Sequence, residues 1–255
     1  MSLTPIDTAL EQLMPLLPLI TGQESVLLEQ AAGRVLAGDC VSPIDVPPYC
    51  NSAMDGYALK STDLGSENIQ LKITQRIAAG EVGQQLKSGE AARIFTGAPV
   101  PEGADAVVMQ ENCNANGDVL CVLQQHIKPG ENLRQAGGDI QAGAVMMAKG
   151  HRLKPQDIGL LASIGLESVN VTRRLRVSLL TTGDELVQPG TKLEAGQIYN
   201  SNYFTLQALL KGLQVEVLDC GIVADDFEGT RLALLAAAQR SDCVITPGGV
   251  SVGEE

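Results

Sequence analysis

The segment from Arg176 to Thr246 alternates strand-like and helix-like patterns, and this alternation most restricts the possible folds. Apolar β-prone runs at 176–181, 215–219 and 242–246 flank helical patterns at 202–211 and 227–240. Connections between parallel strands of one sheet are almost always right-handed, with the intervening helices packed on the sheet faces. The sequence therefore predicts a parallel α/β domain over residues 174–255.

Three polar loops follow the three predicted strands. They read TTGDEL (181–186), GIVADD (221–226) and TPGGVSVGEE (246–255). Ligands of open parallel sheets bind beyond the carboxyl ends of the strands, so we expect these loops to share one rim. The third loop lacks the lysine of a P-loop, but its backbone amides and the Ser251 hydroxyl suit a phosphate or a similar oxyanion.

Carboxylates dominate the first two loops, with Asp184 and Glu185 in one and Asp225 and Asp226 in the other. Carboxylates beside an anion-binding loop would repel the ligand unless a hard cation bridges them, and Mg²⁺ is the usual choice. The alternative is structural. Asp184 or Glu185 can cap its own turn, and Asp225 with Glu228 matches a capping box for the next helix.

Residues 43–143 have a different texture, with short β-prone runs separated by Gly, Pro and Asn. The runs lie at 71–74, 92–95, 106–109 and 119–123. Asn116-Gly117 predicts a hairpin between two of them, so we expect a small, mostly antiparallel β domain. The flanking segments, 1–42 and 144–173, predict a helical and extended domain into which the β domain is inserted.

The helical predictions in those flanking segments rest on caps and spacing. Thr4 is a candidate N-cap of a first helix, and a second helix is predicted over 24–32 with Gly33 as its stop. A further helix is predicted over 155–164, with Gly165 as its C-cap.

The predicted β domain carries three polar loops of its own. NSAMDGYAL contains Asp55 in a turn, RIFTGAPVPEGADAVV places Thr96 at a strand end, and NLRQAGGDIQAG supplies Arg134 and Asp139 around paired glycines. Each is an ordinary polar loop when read alone. Arg134 is the residue type that holds a phosphate or another oxyanion.

Composition excludes several functions. A net charge of -12, no Trp, three Phe and four Tyr argue against a nucleic-acid surface. Two histidines are too few for a zinc site or a Ser-His pair, and six cysteines without CxxC spacing predict reduced thiols. No apolar run predicts a membrane span or a secretory signal, so we expect a cytoplasmic protein.

Together these stretches resemble the MoeA family, the molybdopterin molybdenumtransferases, which include bacterial proteins and the catalytic domain of gephyrin. The matching stretches run in family order and are SPIDVPPYCNSAMDGYA, RIFTGAPVPEGADAVVMQE, GENLRQAGGDIQAG, TTGDEL, GQIYNSN and TPGGVSVGE. The resemblance implies a multidomain α+β and α/β fold, in which a helical segment with an inserted small β domain precedes a truncated, MogA-like parallel α/β domain.

The resemblance also implies an activity in molybdenum cofactor biosynthesis. Molybdate would be inserted into adenylylated molybdopterin, with Mg²⁺-dependent release of AMP. The implied partners are a second copy of the chain, a MogA-type adenylyltransferase, and downstream cofactor-handling proteins or molybdoenzymes. In the implied homodimer the β domain of one subunit faces the α/β domain of the other.

Functional positions of the family carry over residue by residue. The implied catalytic positions are Asp55, Thr96, Asp139, Glu185 and Asp225. The implied molybdopterin- or anion-binding positions are Arg134, Thr182, Gly183, Asp184, Gly248, Gly249, Ser251 and Gly253. Glu185 and Asp225 would also hold Mg²⁺ or the adenylate. Gln135 and Ala136 stand where some members continue an arginine-rich run, which weakens anion capture at that loop.

Family members continue beyond GGVSVG, so the resemblance implies that these 255 residues are an N-terminal portion that does not turn over by itself. Two alternatives stand beside it. A CinA-like or MogA-like nucleotide-pterin enzyme shares the α/β domain but lacks the N-terminal domains. A non-catalytic dimeric scaffold keeps the fold, although the intact Asp55, Thr96 and Glu185 argue against it.

Overall fold

The computed structural model describes residues 4–65, 69–124 and 126–248. The α-helices are α1 (Ile6–Leu13), α2 (Leu28–Ala31), α3 (Pro155–Ser163), α4 (Ser201–Gly212) and α5 (Phe227–Arg240). The strands are β1 (Gln23–Leu27), β2 (Cys40–Val41), β3 (Asn51–Ser52), β4 (Gly56–Leu59), β5 (Gln70–Ile77), β6 (Glu90–Ile94), β7 (Ala106–Met109), β8 (Cys113–Asn116), β9 (Val119–Val122), β10 (Leu133–Arg134), β11 (Val145–Met147), β12 (Ser168–Thr172), β13 (Arg176–Thr182), β14 (Leu186–Val187), β15 (Ile198–Tyr199), β16 (Glu216–Val223) and β17 (Cys243–Ile245). This mixture of separate antiparallel and parallel sheets confirms the predicted multidomain α+β and α/β fold class.

The chain forms two compact units. The α/β unit consists of Met1–Gly38, Gly150–Lys154 and Ser168–Glu255, and the β unit consists of Asp39–Lys149 and Pro155–Glu167. Because each unit draws on separated stretches of sequence, neither could be delimited by a single cut in the chain. The finer division into 1–42 with 144–173, 43–143 and 174–255 stays a prediction.

The α/β unit contains the predicted parallel sheet, with strand order β16-β13-β17. The central strand β13 buries Val177, Leu179 and Leu180. Helix α4 packs against β13 and β16, and α5 contacts all three strands. The register pairs Thr182 at the end of β13 with Val223 at the end of β16, so their loops leave the sheet side by side.

The N-terminal part of the α/β unit differs from its prediction in two places. The helix expected over 24–32 is wrong for its first half, because 24–27 lie in β1, which pairs antiparallel with β12 and buries only Val26. Within the predicted range, only α2 is helical. The predicted stop, Gly33, follows it and adopts a φ of 79°, which is typical of a glycine that ends a helix. Thr4 is not the first cap, because α1 begins after Pro5 without a side-chain cap.

The β unit is built on a six-stranded sheet in the order β7-β4-β6-β5-β9-β8. Only the β5–β6 pair is parallel, which confirms the mostly antiparallel prediction. The Asn116-Gly117 hairpin joins β8 to β9, with Gly117 at a φ of 58°. Two apolar clusters, one around Leu59 and Leu120 and one around Ile77 and Ile94, form the core.

Gly56 begins the inner strand β4, which lies between β7 and β6. It is paired with Ile94 on one side and with Met109 on the other. A Cβ at this position would overlap the carbonyl oxygen of Val108, so only glycine allows β7 to come this close. The turn that carries Asp55 is therefore anchored by a backbone contact directly behind it.

Across the described residues, none of the helices combines the length and the apolar character that crossing a bilayer requires. The six cysteines are free thiols. Cys113 lies opposite Val122 and not opposite Cys121 in the β8–β9 hairpin, and burial raises the pKa of the Cys113 thiol to about 11.

Candidate functional site

The β unit brings its three polar loops together through backbone pairing. Strand β3 pairs with β10, which aligns Asn51 with Arg134, and Asn51 also bridges to Pro99 in the loop after β6. On that loop Gly97 donates to the Ser52 carbonyl over 2.8 Å. Loops 50–55, 96–100 and 133–139 thus lie beside one another, which their separation in sequence did not reveal.

Asp55 and Thr96 form a fixed pair. The Oδ1 atom of Asp55 accepts hydrogen bonds from the Thr96 amide at 2.8 Å and from the Thr96 hydroxyl at 2.7 Å. The amide bond, the hydroxyl bond and the nearby Arg93 guanidinium together hold the pKa of Asp55 below its usual value. The structure thus presents an exposed, ionised carboxylate in one orientation.

Arg93, which the sequence interpretation did not single out, braces the turn behind Asp55. Its guanidinium donates to the Gly56 carbonyl at 2.9 Å and to Oε1 of Gln110 at 2.6 Å. It also lies 5.2 Å from the ring centroid of Tyr57 and 4.6 Å from that of Phe95. An arginine three residues before Thr96 in a strand was the available signal, but the aromatic rings beside it are brought there by the sheet register.

Arg134 and Asp139 lie next to each other, with 3.7 Å between Nη2 and Oδ2. Both side chains are more than half exposed, so the guanidinium is accessible to an anion. The loop between them is held by Asp139, whose amide donates to the Val46 carbonyl at 2.9 Å. The carboxylate of Asp139 offsets part of the charge that Arg134 offers.

Asn51 is the first residue of the NSAMDGYAL stretch. Its side chain is 8% exposed, and its Oδ1 atom is buried without a hydrogen-bond partner in the part of the chain that the structure describes. A buried acceptor without a donor costs about 1–3 kcal/mol. Asn51 is therefore a buried, unsatisfied acceptor beside the loops of Thr96 and Arg134.

The α/β unit has a cavity of about 190 Å³ at the carboxyl ends of its strands. Gly248 lines it together with the polar residues Thr181, Thr182, Glu185, Tyr199, Asn200, Ser201 and Asn202. The TTGDEL, GQIYNSN and TPGG stretches therefore converge on one site, which we call the rim cavity. This convergence confirms for the described residues that the first and third loops share a rim.

Glu185 projects back over Gly183. Gly183 has a φ of 139°, and a Cβ there would overlap the Glu185 carboxylate. Among the described residues that carboxylate forms no hydrogen bond or ion pair, and it lines the rim cavity. It is therefore a free oxygen donor beside the Thr182 hydroxyl.

Asn200 is a further rim residue that the sequence interpretation did not weigh. Its Nδ2 donates to the Thr181 hydroxyl at 2.9 Å, and its Oδ1 caps α4 by accepting from the Tyr203 amide. The side chain is 2% exposed, so it links the end of β13 to the start of α4. The stretch GQIYNSN, which precedes α4, contained the signal.

Asp225 does not cap α5, so the capping-box alternative is wrong. The N-cap is Asp226, whose Oδ1 accepts from the Gly229 amide at 2.7 Å. The Asp225 amide donates to Oδ1 of Asp184 at 3.2 Å, which joins the second loop to the first. The Asp225 carboxylate has no partner within the described residues, but it does not line the rim cavity with Glu185.

The described residues contain no group of three or more His, Cys, Asp and Glu side chains arranged to hold a metal. Mg²⁺ commonly binds through one or two carboxylates together with substrate phosphates and water. The exposed oxygens of Glu185 and Asp225 fit that limited donor set, with the Thr182 hydroxyl close to the first. Mg²⁺ binding by these residues stays a prediction.

Gly248 is the last residue of the glycine-rich loop that the structure describes. A Cβ there would lie 2.9 Å from the Thr182 hydroxyl oxygen, so glycine permits the close approach of the two loops. The other predicted positions of this loop, Gly249, Ser251 and Gly253, lie outside the described residues.

Two protein families match the chain. The family described as MoeA N-terminal region (domain I and II) matches residues 4–165, and the family described as probable molybdopterin binding domain matches residues 178–255. The predicted site residues of the β unit fall in the first match, and those of the rim fall in the second.

Relatives and solved structures agree with these matches. The chain is 43% identical over 250 residues to "Molybdopterin molybdenumtransferase" of Haemophilus influenzae, covering 98% of this chain and 62% of the relative. It is 39% identical over 255 residues to the protein of the same name from Nostoc sp., covering 97% and 58%. A crystal structure of "molybdopterin biosynthesis moeA protein" from Pyrococcus horikoshii superimposes with a TM-score of 0.87 at 33% identity, covering 98% and 68%.

These curated relatives are longer, since the chain spans only 58–62% of their length. The N-terminal match covers more than half of this chain, including the domains that the CinA-like and MogA-like alternatives were expected to lack. The chain therefore belongs to the MoeA family.

Proposed function

We propose that this chain takes part in molybdenum cofactor biosynthesis, as part of a molybdopterin molybdenumtransferase. The reaction would insert molybdate into adenylylated molybdopterin and release AMP in a Mg²⁺-dependent step. The observation that carries the proposal is the rim cavity, where Thr182, Glu185 and Gly248 from two separate loops meet. The names of the relatives support the same activity.

In the α/β unit, the rim would bind the adenylylated pterin. The amides of the glycine-rich loop and the Thr182 hydroxyl would donate to a phosphate, as such loops do elsewhere. Glu185 and Asp225 would hold Mg²⁺ together with phosphate oxygens. The bound cation would neutralise phosphate charge and favour the departure of AMP.

In the β unit, the residues suit an oxyanion. Arg134 supplies an exposed guanidinium, and Asp139 beside it limits how strongly an anion is held. Asp55 stays ionised because Thr96 donates two hydrogen bonds to it, so it can accept a hydrogen bond from a ligand and orient that donor. We propose that these groups handle molybdate.

We also propose that the protein acts as a cytoplasmic homodimer. Its further partners would be a MogA-type adenylyltransferase, which would supply the adenylylated pterin, and the proteins that receive the finished cofactor. Sedimentation of the full-length gene product tests the dimer, because a monomeric mass at micromolar concentration contradicts it.

The activity is tested by AMP release from adenylylated molybdopterin in the full-length gene product. We expect release to require both molybdate and Mg²⁺, and Glu185→Gln to lower its rate at least about 100-fold, the scale of losing one key electrostatic contact. The control is Glu228→Gln, an exposed residue on α5 that pairs with Arg231. An unchanged rate of AMP release in Glu185→Gln, or AMP release that does not depend on molybdate, contradicts the proposal.

A further inference from the structure

A second cavity, of about 380 Å³, lies in the α/β unit at the opposite end of its parallel sheet. It is lined by Leu175 and Val215, which directly precede β13 and β16, whereas the rim cavity lies where those strands end. Its size is that of a small-molecule site. We call it the arginine cavity, after the four arginines in its lining.

Four arginines line this cavity. They are Arg34, Arg152, Arg173 and Arg174. No Asp or Glu is among its lining residues in the described part of the chain, although the protein as a whole carries a net charge of -12. A cluster of positive charge is thus gathered in an acidic protein, and it lies on none of the loops assigned to the proposed reaction.

Two of the four arginines are already neutralised. Arg34 is 7% exposed and pairs with Glu24 while donating to the Thr172 carbonyl at 2.9 Å. Arg173 forms a bidentate pair with Asp242, at 2.7 and 2.6 Å. These two residues build the wall of the cavity and add little net charge to it.

The charges of the other two arginines are not balanced by a carboxylate among the described residues. Arg152 donates through Nε to the Gly33 carbonyl at 3.2 Å, and no ion pair of Arg152 or Arg174 occurs among the described residues. Both side chains are exposed at the cavity. Two uncompensated guanidinium groups match the charge of a phosphate monoester dianion, and guanidinium suits its oxygens geometrically.

The wall also holds an unsatisfied polar atom. The Oε1 atom of Gln214 is buried without a hydrogen-bond partner in the described residues. The Gln214 amide lies against Gly33, where a Cβ would overlap it, and Gln214 itself adopts a φ of 59°. An acceptor held in this way needs a donor, which a ligand body with an N–H or O–H group would supply.

Apart from Thr172, the rest of the lining is glycine or apolar and includes Ile20, Leu175, Leu213 and Val215. A bare phosphate ion would leave this surface uncovered. A wider neighbouring cavity shares Arg34, Arg173 and Arg174 but includes Glu24, Glu29 and Glu216. We therefore expect the anion to bind in the arginine cavity, which lacks carboxylates, and not in the neighbouring one.

We propose that the arginine cavity binds a small phosphate monoester, with Arg152 and Arg174 on the phosphate and the Gln214 amide oxygen on a donor of the ligand body. This site is additional to the molybdopterin site of the proposed function, and it lies at the other end of the sheet. It would take a phosphorylated compound with a compact, partly apolar body.

The test is calorimetric titration of the full-length gene product at low salt with 4-aminophenyl phosphate, and with phenyl phosphate and 4-aminophenol as matched probes. We expect the aminophenyl ester to bind, the neutral phenol not to bind, and phenyl phosphate to bind more weakly because it offers Gln214 no donor. Arg174→Gln should weaken binding of the aminophenyl ester about tenfold, the scale of one charge-assisted hydrogen bond.

Matched variants separate this site from general charge effects. Arg231→Gln removes the same charge from α5, and Glu185→Gln alters the rim, and we expect both to leave the affinity unchanged. If Arg174→Gln changes the circular dichroism, Arg152→Gln provides the same test. Absence of binding to the unaltered chain overturns the proposal. So does an equal loss in Arg174→Gln and Arg231→Gln, or binding that only Glu185→Gln changes.

Discussion

The polar loops of the β unit and the rim of the α/β unit are stabilised in different ways. In the β unit, Asp55 is bound by Thr96, and Arg134 lies beside Asp139. At the rim, the carboxylates of Glu185 and Asp225 have no partner within the described residues. The strong ion pair of the α/β unit, Arg173 with Asp242, lies at the other end of its sheet.

The two groups of predicted site residues are therefore preorganised to different degrees. Hydrogen bonds that exist before a ligand binds reduce the conformational entropy that the site loses on binding. The β unit offers such a preformed arrangement, whereas the rim offers free oxygens and glycine backbone to groups that arrive with the ligand. Substitutions in each region can test this contrast.

Gly56→Ala should remove the preformed arrangement by destabilising the β unit. The new methyl group would overlap the Val108 carbonyl between paired strands, so we expect a loss of about 3 kcal/mol or more in the free energy of unfolding. Urea denaturation measures it. Gly65→Ala is the control, since a Cβ there meets nothing within 4 Å. Equal stability of both variants would mean that β4 and β7 are not held this closely.

Asp242→Asn should weaken the α/β unit at the end of the sheet away from the rim. Asp242 accepts two bonds from Arg173 and one from the Arg176 amide, so we expect a loss of about 1.5–3 kcal/mol at neutral pH. Glu216→Gln, which removes an exposed pair with Arg176, should cost less than about 1 kcal/mol. Equal costs for the two variants would contradict this ranking.

The Asp242 contribution should also depend on pH in a defined window. The Arg173 guanidinium, followed by the Arg176 amide, lowers the pKa of Asp242 from 3.8 to about 2. Because the pKa of Asp242 is lower in the folded than in the unfolded chain, the ionised carboxylate stabilises the fold. This contribution is complete above about pH 4, near the pKa of the unfolded chain, and is lost as the pH falls through 2. The difference in the free energy of unfolding between the original chain and Asp242→Asn should therefore become smaller as the pH falls over that range, which acid denaturation measures.

Asp226→Ala should destabilise α5 by about 1 kcal/mol, because it removes the N-cap bond to the Gly229 amide. Asp225→Ala should change stability by a few tenths of a kcal/mol, since its carboxylate has no partner among the described residues. Thermal unfolding of the two variants compares neighbouring aspartates directly. The opposite ranking would restore the capping-box interpretation and remove Asp225 from the free groups of the rim.

Thr96→Val should raise the pKa of Asp55 without changing the fold. The hydroxyl bond is lost while the amide bond, the larger cause of the lowered pKa, is kept, so the rise is partial. Thr96→Ser keeps a hydroxyl and should leave the pKa near that of the original chain. Carbon-detected NMR of the Asp55 carboxyl measures both, and an unchanged pKa in Thr96→Val would show that the preformed pair depends on the amide alone.

Much of the fold could be predicted from local patterns. The parallel strands, α5 and the hairpin at Asn116-Gly117 follow from apolar periodicity and turn residues. The helix predicted over 24–32 failed because 23–27 pair with β12, more than 140 residues later in the chain. Capping was also ambiguous, since Asp225 and Asp226 are equally good caps by composition, and only backbone geometry selects Asp226.

Residue type and local spacing were enough to predict the family, the fold class and the candidate site residues. Which of these candidates come together depends on the folding of distant segments. The tertiary structure placed Asp55 on Thr96 and Arg134 beside Asp139, gave Asp55 the support of Arg93, and gathered four arginines at the far end of the α/β sheet. Such contacts are set by strand register and by pairing between distant segments, which no local pattern encodes.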